Sequence, residues 1–435
     1  MEYIPNIIFT ILLVFSIVFF VKNISRIKRN INLGKNLDRT DRSKERWGNM
    51  IRIALGQSKM VKRPVSGLLH IIVYVGFIII NIEVLEIVLD GIFGTHRLFL
   101  SVLGEGIYGF LIGTFEILAL LVLVSVIVFW ARRNIIKIKR FWNKEMTSWP
   151  KNDGNIILYF EIVLMTLFLI MNATDVHFQE ASVGNPVSQF LSPIFSSVSI
   201  EMLHIIERSA WWIHICGILA FLNYLYYSKH LHILLAFPNT FYANLEEKGK
   251  FVNNPTVTKE VKTMMDPNAD PYAAPAESEE EPEKFGASDV TDLNWVQLMN
   301  SYTCTECGRC TSVCPANQTG KELSPRAIMM KTRDRLEEVG KNIDVNKGVF
   351  QDDGKQLLND YISPEELWAC TSCNACVEEC PVNIDPLSII MDMRQYLVME
   401  ESAAPQELNS MMGNIENNGA PWPYNQMDRL NWKEE

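Results

Sequence analysis

Two short cysteine runs decide how the C-terminal part of this chain folds. Residues 303–315 read TCTECGRCTSVCP, and residues 369–381 read ACTSCNACVEECP. Each run has the spacing C-x2-C-x2-C-x3-C followed by proline, and the second begins 66 positions after the first, at 370 against 304. Of the nine cysteines, only Cys216 lies outside the two runs. An odd total in two tight groups does not suit a secreted disulfide framework and indicates metal or cluster ligands in a reducing compartment.

This spacing predicts two [4Fe–4S] clusters. Three thiolates two residues apart can surround three corners of a cubane, and the fourth cysteine of each run ligates the other cluster, as in bacterial ferredoxins. Zinc ribbons use two cysteine pairs, so they fit this pattern poorly. The expected ligands are Cys304, Cys307, Cys310 and Cys380 for cluster 1, and Cys370, Cys373, Cys376 and Cys314 for cluster 2.

The apolar residues are concentrated in the first 240 positions. The chain has 435 residues, 48% of them hydrophobic and 21% charged, and its mean hydropathy is only +0.06. Crossing a bilayer as a helix takes roughly 20 apolar residues. Five stretches are long enough, at about residues 5–21, 66–89, 106–130, 156–175 and 207–229. The expected fold class is therefore mainly α: a five-helix transmembrane bundle followed by a small helical ferredoxin domain.

Charge sets the expected orientation and partners. Lysine and arginine are abundant after the first and third stretches and sparse in the other connections, where Arg97 and Arg208 stand alone. The positive-inside rule therefore places the N-terminus outside and everything after the fifth helix in the cytoplasm of a bacterial inner membrane. The net charge of −10 argues against nucleic-acid binding.

Composition divides the chain into four parts. Residues 1–240 form the membrane domain, 241–290 a flexible linker, 291–400 the ferredoxin domain and 401–435 a polar tail. The linker contains repeated prolines (Pro255, Pro267, Pro271, Pro275 and Pro282) and an acidic run at 278–281. Such a segment cannot bury a core.

Three of the seven histidines have a spacing that suggests haem ligation. His214 and His232 are 18 residues apart, which in one continuous helix is five turns, or about 27 Å on a single face. His230 would then point away from His232. His70, in the first turns of the second helix, is expected at the same depth as His232. Two histidines on facing helices can hold a b-type haem; the alternative is that they are structural.

The outer histidine, His214, lacks an obvious partner. A second haem would need another histidine about ten residues beyond His70, but that position is Ile80. His96 and His177 are possible substitutes. Otherwise His214 lines a quinone pocket or simply packs.

Three carboxylates also fall within or beside apolar stretches: Glu83, Glu86 and Glu116. Because quinone chemistry couples electrons to protons, intramembrane carboxylates are candidate proton carriers. Helix-end carboxylates that reach the headgroups are an equal alternative for each.

Parts of the membrane domain resemble the gamma subunit of respiratory nitrate reductase. The similar segments are 66–72 (SGLLHII), 211–214 (WWIH) and 227–232 (YSKHLH). The resemblance implies that His70 and His232 ligate the cytoplasmic-side haem and His214 an outer haem. It departs at Ile80, where that family has a histidine.

The combination with the cysteine runs is similar to membrane-bound heterodisulfide-reductase-like iron–sulfur oxidoreductases. The segments that carry it are 303–310 (TCTECGRC), 320–325 (GKELSP), 367–370 (LWAC) and 391–394 (MDMR). That family commonly continues into a domain with two CCG motifs. Segments 418–422 and 428–432 look like the approach to it, so the resemblance implies a tail that docks a separate CCG-domain subunit.

The expected function is electron transfer between a cytoplasmic partner and quinone. The resemblance implies a CCG subunit or electron-transfer flavoprotein as partner, and menaquinone suits low-potential clusters. Two alternatives remain: quinol-driven reduction of a cytoplasmic disulfide or sulfur substrate, and a haem-free membrane-anchored iron–sulfur sensor. Gly308 and Gly320, beside the cysteine runs, are not part of a GxGxxG run, so the cysteine region offers no flavin or nucleotide fingerprint.

Overall fold

A computed structural model of the chain describes residues 3–181, 184–267 and 284–434. Helices dominate these residues. The described parts contain no strand, only two isolated bridges, Lys35 with Asn294 and Leu358 with Ile362. The prediction of a mainly α-helical chain is confirmed.

The membrane domain contains five long helices. Its helices are, in chain order, α1 (Ile4–Ile31), α2 (Ser43–Met50), α3 (Pro64–Phe93), α4 (Leu98–Asn134), α5 (Trp149–Thr174), α6 (Val176–Ala181), α7 (Ser188–Leu191), α8 (Ile200–Tyr224) and α9 (His232–Phe241). Helices α1, α3, α4, α5 and α8 are each long and apolar enough to cross a membrane. The five predicted stretches all fall on them. Helix α4 is interrupted at Gly104, whose φ of 75° and ψ of 162° suit a residue without a side chain.

The outer surface of the bundle is apolar. Helix α1 leaves Ile11, Phe15 and Val18 largely exposed. Since a helix satisfies its own backbone hydrogen bonds, such a surface is stable against lipid.

The fifth long helix ends earlier than the sequence predicts. Helix α8 stops at Tyr224, and Ser228 has an extended backbone, with φ −115° and ψ 145°. Two 3₁₀ turns flank Ser228, and α9 then begins at His232. The prediction that His214 and His232 share one face of a continuous helix is therefore wrong.

A short helix lies between the two domains. Residues 255–265 form α10 (Pro255–Met265), in which the side chain of Asn254 accepts a hydrogen bond from the Val257 N–H at 3.1 Å. None of the α10 residues is buried. The acidic run 278–281, with Pro271, Pro275 and Pro282, lies outside the described residues.

The C-terminal domain is built from short helices around one long helix. They are α11 (Trp295–Thr303), α12 (Arg309–Val313), α13 (Pro315–Gln318), α14 (Pro325–Val345), α15 (Leu357–Asp360), α16 (Pro364–Trp368), α17 (Ala375–Glu379) and α18 (Pro386–Met399). Leu298, Ile328, Leu336 and Ile389 are fully buried between them. The tail forms α19 (Gln406–Asn418) and a 3₁₀ segment (Gln426–Lys433), neither of which has a buried residue.

The C-terminal domain packs directly against one end of the helical bundle. Ile27 and Ile31 of α1 belong to the same buried hydrophobic cluster as the core of the C-terminal domain. At this interface Asn30 Nδ2 donates to the Tyr302 hydroxyl at 2.9 Å, and Arg63 Nε donates to Glu379 Oε1 at 2.8 Å. The docked end of the bundle is the one rich in lysine and arginine.

Candidate functional site

The two cysteine runs fold into loops with the same local conformation. Glu306 and Ser372, which precede the second cysteine of each run, have φ of 53° and 56°. Gly308 and Asn374, which follow that cysteine, have φ of 68° and 58°. Alternation of left-handed and right-handed residues turns successive backbone N–H groups toward one point, as in many iron–sulfur sites. The two copies of the cysteine motif therefore share one backbone conformation.

The first loop shares a cavity with the last cysteine of the second run. Cys304, Cys307, Cys310 and Cys380 line one cavity, and Cys376 of the second run lines it as well. Burial first, and then the charges of Cys307, Cys304 and Cys380, raise the pKa of the Cys310 thiol. Four thiols that repel one another as thiolates are stabilised together when they bind metal. Four of the five cysteines at this cavity are those predicted for cluster 1, and Cys376 is one predicted for cluster 2, so the crossed assignment stays a prediction.

The second loop lies beside the last cysteine of the first run. Burial raises the pKa of the Cys370 thiol, and Cys314 and Cys373 are the thiolates that add to this effect. The charge of Cys314 also raises the pKa of the Cys376 thiol. Cys373 is exposed, whereas Cys304, Cys314, Cys376 and Cys380 are buried. The second set is thus the one that reaches the protein surface.

Three histidines gather at the docked end of the bundle. Burial and then the charge of His232 lower the pKa of His230, and His70 adds to that effect. The rings of His230 and His232 are 5.4 Å apart at an interplanar angle of 90°. His70 is also close enough to His232 for their charges to influence each other, and the segment brings in His230, which a continuous helix would have pointed away. The cause is the helix break, which replaces helical geometry between residues 225 and 231.

A buried carboxylate from α5 produces this break. Asp153 is 2% exposed and accepts hydrogen bonds from the Tyr224 hydroxyl at 2.7 Å, Ser228 Oγ at 2.7 Å and the Lys229 N–H at 3.1 Å. The carboxylate satisfies backbone and side-chain donors that would otherwise be left unpaired where the helix stops. Asp153 therefore sets the position of the histidine segment.

Lys229 connects the histidine segment to the first cysteine loop. Its carbonyl oxygen accepts a hydrogen bond from His232 Nδ1 at 3.1 Å. Its ammonium group donates to the Pro150 carbonyl at 2.6 Å and forms an ion pair with Glu306, between Cys304 and Cys307. Arg333 Nη2 donates to the other Glu306 oxygen at 2.8 Å. Burial raises the pKa of Glu306, but the charges of Lys229 and Arg333 outweigh it and hold the pKa below its usual value.

His214 lies in the middle of the bundle, away from the other histidines. It is 2% exposed, and its Nδ1 is 3.0 Å from the Leu164 carbonyl oxygen. Among the contacts of the described residues, neither His96 nor His177 meets it. His96 instead lies beside Asp175, with 3.4 Å between Nε2 and Oδ2.

The three carboxylates noted in the sequence lie in a polar region at the opposite end of the bundle. Glu86 Oε2 accepts from the Tyr108 hydroxyl at 3.2 Å, and Arg97 Nη1 donates to that hydroxyl at 3.2 Å. Arg97 Nη2 donates to Asn172 Oδ1 at 3.0 Å. Asn172 Nδ2 in turn donates to Glu116 Oε1 at 3.1 Å. This outer polar network runs across α3, α4 and α5.

Glu83, Glu86 and Glu116 differ in how well they are satisfied. All three are buried within the protein rather than directed to its surface. Glu116 Oε2 accepts the backbone N–H groups of Val187 and Ser188 at 2.8 and 2.9 Å. Glu83 Oε2, by contrast, has no hydrogen-bond partner. Glu86 is satisfied too, since its Oε1 accepts the Phe99 N–H at 2.7 Å, so of the three carboxylates Glu83 is the one with an unpartnered oxygen.

With this geometry in place, comparison with known proteins identifies the cysteine-bearing region. Residues 303–384 match the family model of the 4Fe-4S dicluster domain. The C-terminal domain therefore contains a region similar to that family, and we call it the dicluster domain below.

The curated relatives are iron–sulfur and electron-transfer proteins. The chain is 29% identical to the "Probable iron-sulfur-binding oxidoreductase FadF" of Bacillus subtilis, over 98% of this chain and 60% of the relative. It is 24% identical to the "EtfAB:quinone oxidoreductase" of Syntrophomonas wolfei, over 92% of this chain and 55% of the relative. A "Probable membrane-anchored ferredoxin" of Chromohalobacter salexigens is 32% identical over 34% of this chain and 24% of the relative. No solved structure matches.

These relatives support the prediction of an oxidoreductase subunit with iron–sulfur clusters. Shorter matches to heterodisulfide reductases of Methanosarcina species agree with the resemblance seen in the sequence. The chain spans only 60% and 55% of the lengths of the first two relatives, so their names describe proteins longer than this chain.

The sequence analysis missed four residues that organise the two ends of the bundle: Asp153, Lys229, Arg97 and Tyr108. Arg97 was noted only as a charge for orientation. It is 9% exposed and at the centre of the outer polar network. A lone arginine or aspartate beside an apolar stretch is the signal that could have found them, because a charge there needs a buried partner.

Lys229 is expected to fasten the dicluster domain to the membrane domain. The Lys229→Met change leaves Glu306 with Arg333 alone, and removal of one partner of a buried ion pair costs about 1–3 kcal/mol where another cation remains. We expect faster proteolysis at residues 241–290 and a lower unfolding temperature. The matched control is Lys250→Met, since Lys250 and Glu246 form an exposed pair. Equal proteolysis and melting of the two variants would contradict this role.

Proposed function

We propose that this chain is the membrane subunit of a quinone-linked oxidoreductase, in which electrons pass between a soluble partner and membrane quinone. The observation that carries the proposal is the contact between the first cysteine loop and the histidine segment through Glu306 and Lys229. This contact places the predicted cluster ligands beside the predicted haem ligands. When bound, the two clusters and a b-type haem supply one-electron redox chemistry.

The histidines at the docked end fit a haem with two histidine ligands. The donation of His232 Nδ1–H to the Lys229 carbonyl fixes the tautomer and leaves Nε2 free as a ligand. His70 Nδ1 is buried without a hydrogen-bond partner. His70 comes from the start of α3 and His232 from the start of α9, so the two approach from different elements. His214 has the same Nδ1-to-carbonyl contact, but no second histidine, and a second haem is not needed for the proposal.

The outer polar network supports quinone chemistry at the opposite end of the bundle. Reduction of a quinone takes up protons together with electrons. Tyr108 and Arg97 hold Glu86 in place, and the unpartnered Glu83 Oε2 can hold a proton nearby. The Syntrophomonas relative is named for quinone. Menaquinone is the proposed substrate because it suits low-potential clusters.

The second cysteine loop faces the proposed soluble partner. Cys373 is exposed, and the adjacent cleft is lined by Trp368, Met391 and Arg394. This is the face of the dicluster domain that a CCG-type domain or an electron-transfer flavoprotein would approach. The membrane domain covers the first loop, where Arg309 Nη1 donates to the Lys59 carbonyl at 3.1 Å. By the positive-inside rule the docked end is cytoplasmic.

An optical difference spectrum of the detergent-purified chain tests the proposal. We expect a b-type haem band that appears when a menaquinol analogue is added, together with haem and iron counts per chain. Full iron content without haem would reject the proposal and leave a membrane-anchored iron–sulfur protein. If the physiological direction is reversed, quinol will reduce the clusters and a cytoplasmic disulfide will reoxidise them.

Glu86→Gln tests the quinone end. The amide cannot take up a proton in the way a carboxylate does, so quinol-driven haem reduction is expected to slow by roughly tenfold or more. The measurement is stopped-flow absorbance of the haem, with haem content checked first. Glu105→Gln on the exposed surface of α4 is the matched control. A Glu86→Gln rate equal to the control rate would remove Glu86 from the proposal.

A further inference from the structure

The end of the bundle opposite the dicluster domain contains a charged cavity. It is small and is reached beside Thr95 and His96, where α3 turns into α4. Glu207 and Arg208 of α8 line its other side. Asp175, directly after α5, adjoins it through His96. Three separate parts of the membrane domain therefore converge there.

Three side chains at this cavity have the arrangement of metal ligands. One ligand atom each from His96, Asp175 and Glu207 lies within 4.8 Å of the others. The separation of His96 Nε2 and Asp175 Oδ2 is 3.4 Å. Zinc bound at about 2.0–2.2 Å in a tetrahedron requires ligand separations of roughly 3.3–3.6 Å. The pair already has this separation, and His96, which is exposed, has room to adjust.

A second observation points to a cation in the same cavity. Glu83 lines it, is 3% exposed, and has an Oε2 atom without a hydrogen-bond partner. An unpaired polar atom at such a depth is costly. The arginines at the cavity are engaged elsewhere, because Arg97 pairs with Asp175 and Arg208 pairs with Glu207.

The charge balance of the cavity also favours a cation. Two guanidinium groups, of Arg97 and Arg208, face five carboxyl groups: Glu83, Glu86, Asp90, Asp175 and Glu207. The Asp90 carboxylate is engaged by the N–H groups of Arg97 and Leu98 and by the Thr95 hydroxyl. With Asp175 paired to Arg97 and Glu207 paired to Arg208, the carboxyl groups still outnumber the guanidinium groups around His96. A neutral imidazole with two carboxylates is a ligand set that suits zinc.

We propose that His96, Asp175 and Glu207 bind a divalent cation, best matched by Zn²⁺, at the outer end of the membrane domain. The ion links the α3–α4 turn to the end of α5 and to α8. Glu83 lies in the same cavity and contributes a carboxyl oxygen without a hydrogen-bond partner. The cavity shares Glu83 and Glu86 with the proposed quinone end, but Zn²⁺ binding is measured without haem or quinone, so its failure and the failure of the proposed function are distinguishable.

The test is Zn²⁺ binding to the detergent-purified full chain with its complete iron content. Isothermal titration calorimetry is carried out in a Cys216→Ser background, so that the exposed thiol does not bind the probe. We expect about one Zn²⁺ per chain. His96→Ala and Glu207→Gln are each expected to weaken binding roughly tenfold or more. His177→Ala, an exposed histidine outside the ligand group, is the matched control.

The two histidine variants distinguish a specific site from nonspecific binding. Tight binding that is lost in His96→Ala and retained in His177→Ala supports the site. Absence of binding, or binding that His96→Ala leaves unchanged, overturns it. If Glu207→Gln misfolds, as its thermal unfolding would reveal, the comparison of the two histidine variants still decides the question, because both histidines are exposed.

Discussion

His232→Ala is expected to abolish the b-type haem band while the iron content of the chain is unchanged. The physical reason is that, under the proposed function, His70 and His232 would hold the haem, and this change removes one of them together with the Nδ1–H donor to the Lys229 carbonyl. His70→Ala should have the same effect, since His70 is the other proposed ligand of the same haem. The measurement is the pyridine haemochrome content per chain, normalised to iron.

His230→Ala is the control that makes this result specific. His230 has a similar environment to His232 and lies only 5.4 Å from it between ring centres, but its ring packs on Phe221 at 5.2 Å. We expect this variant to keep its haem. If His230→Ala loses haem and His232→Ala keeps it, the ligand is His230 and the assignment from spacing is wrong. If all three variants keep haem, the docked end does not bind it.

Cys380→Ala is expected to remove the same cluster as Cys304→Ala. Because Cys380 lines the cavity of the first cysteine loop, its loss deprives that cluster of one ligand, even though it belongs to the second run. Iron should fall by about half in each variant. The electron paramagnetic resonance spectrum of the reduced protein should lose the same component in both.

The partner comparison is Cys314→Ala with Cys370→Ala, which should remove the other component. Cys216→Ala, outside the runs, should change neither iron nor spectrum. A Cys380→Ala spectrum that matches Cys370→Ala would show that each run binds its own cluster and that the crossed ligation is incorrect. Iron counting alone would not reveal this, so the spectrum is the deciding measurement.

Local patterns were reliable where the physics is local. The five apolar stretches became five long helices, because the length that spans a bilayer is fixed by helical rise. The cysteine spacing predicted two loops of the same conformation, because a short loop with two left-handed residues has few alternative backbone paths. Cys304 and Cys380 both line the cavity at the first loop. Helix α14 begins at Pro325 after the Ser324 cap, in the segment between the two runs.

Periodicity failed where a distant residue intervened. Counting turns from His214 to His232 assumed an unbroken helix, and the apolar residues between them gave no sign of a break. Asp153, on α5, supplies the hydrogen bonds that end α8 and restart the chain at α9. A side chain 75 residues away in sequence, as counted from Asp153 to Ser228, cannot be read from the local pattern.

Short-range spacing in the chain was enough to specify the helical membrane domain, the paired cysteine loops and the candidate histidines. Three-dimensional packing was needed to set the dicluster domain on the bundle, with Glu306 and Lys229 between the cysteines and His232. It was also needed to gather Glu86, Arg97 and Glu116 into one network. Buried charges must find opposite charges or hydrogen-bond partners, and those partners come from helices far apart in sequence.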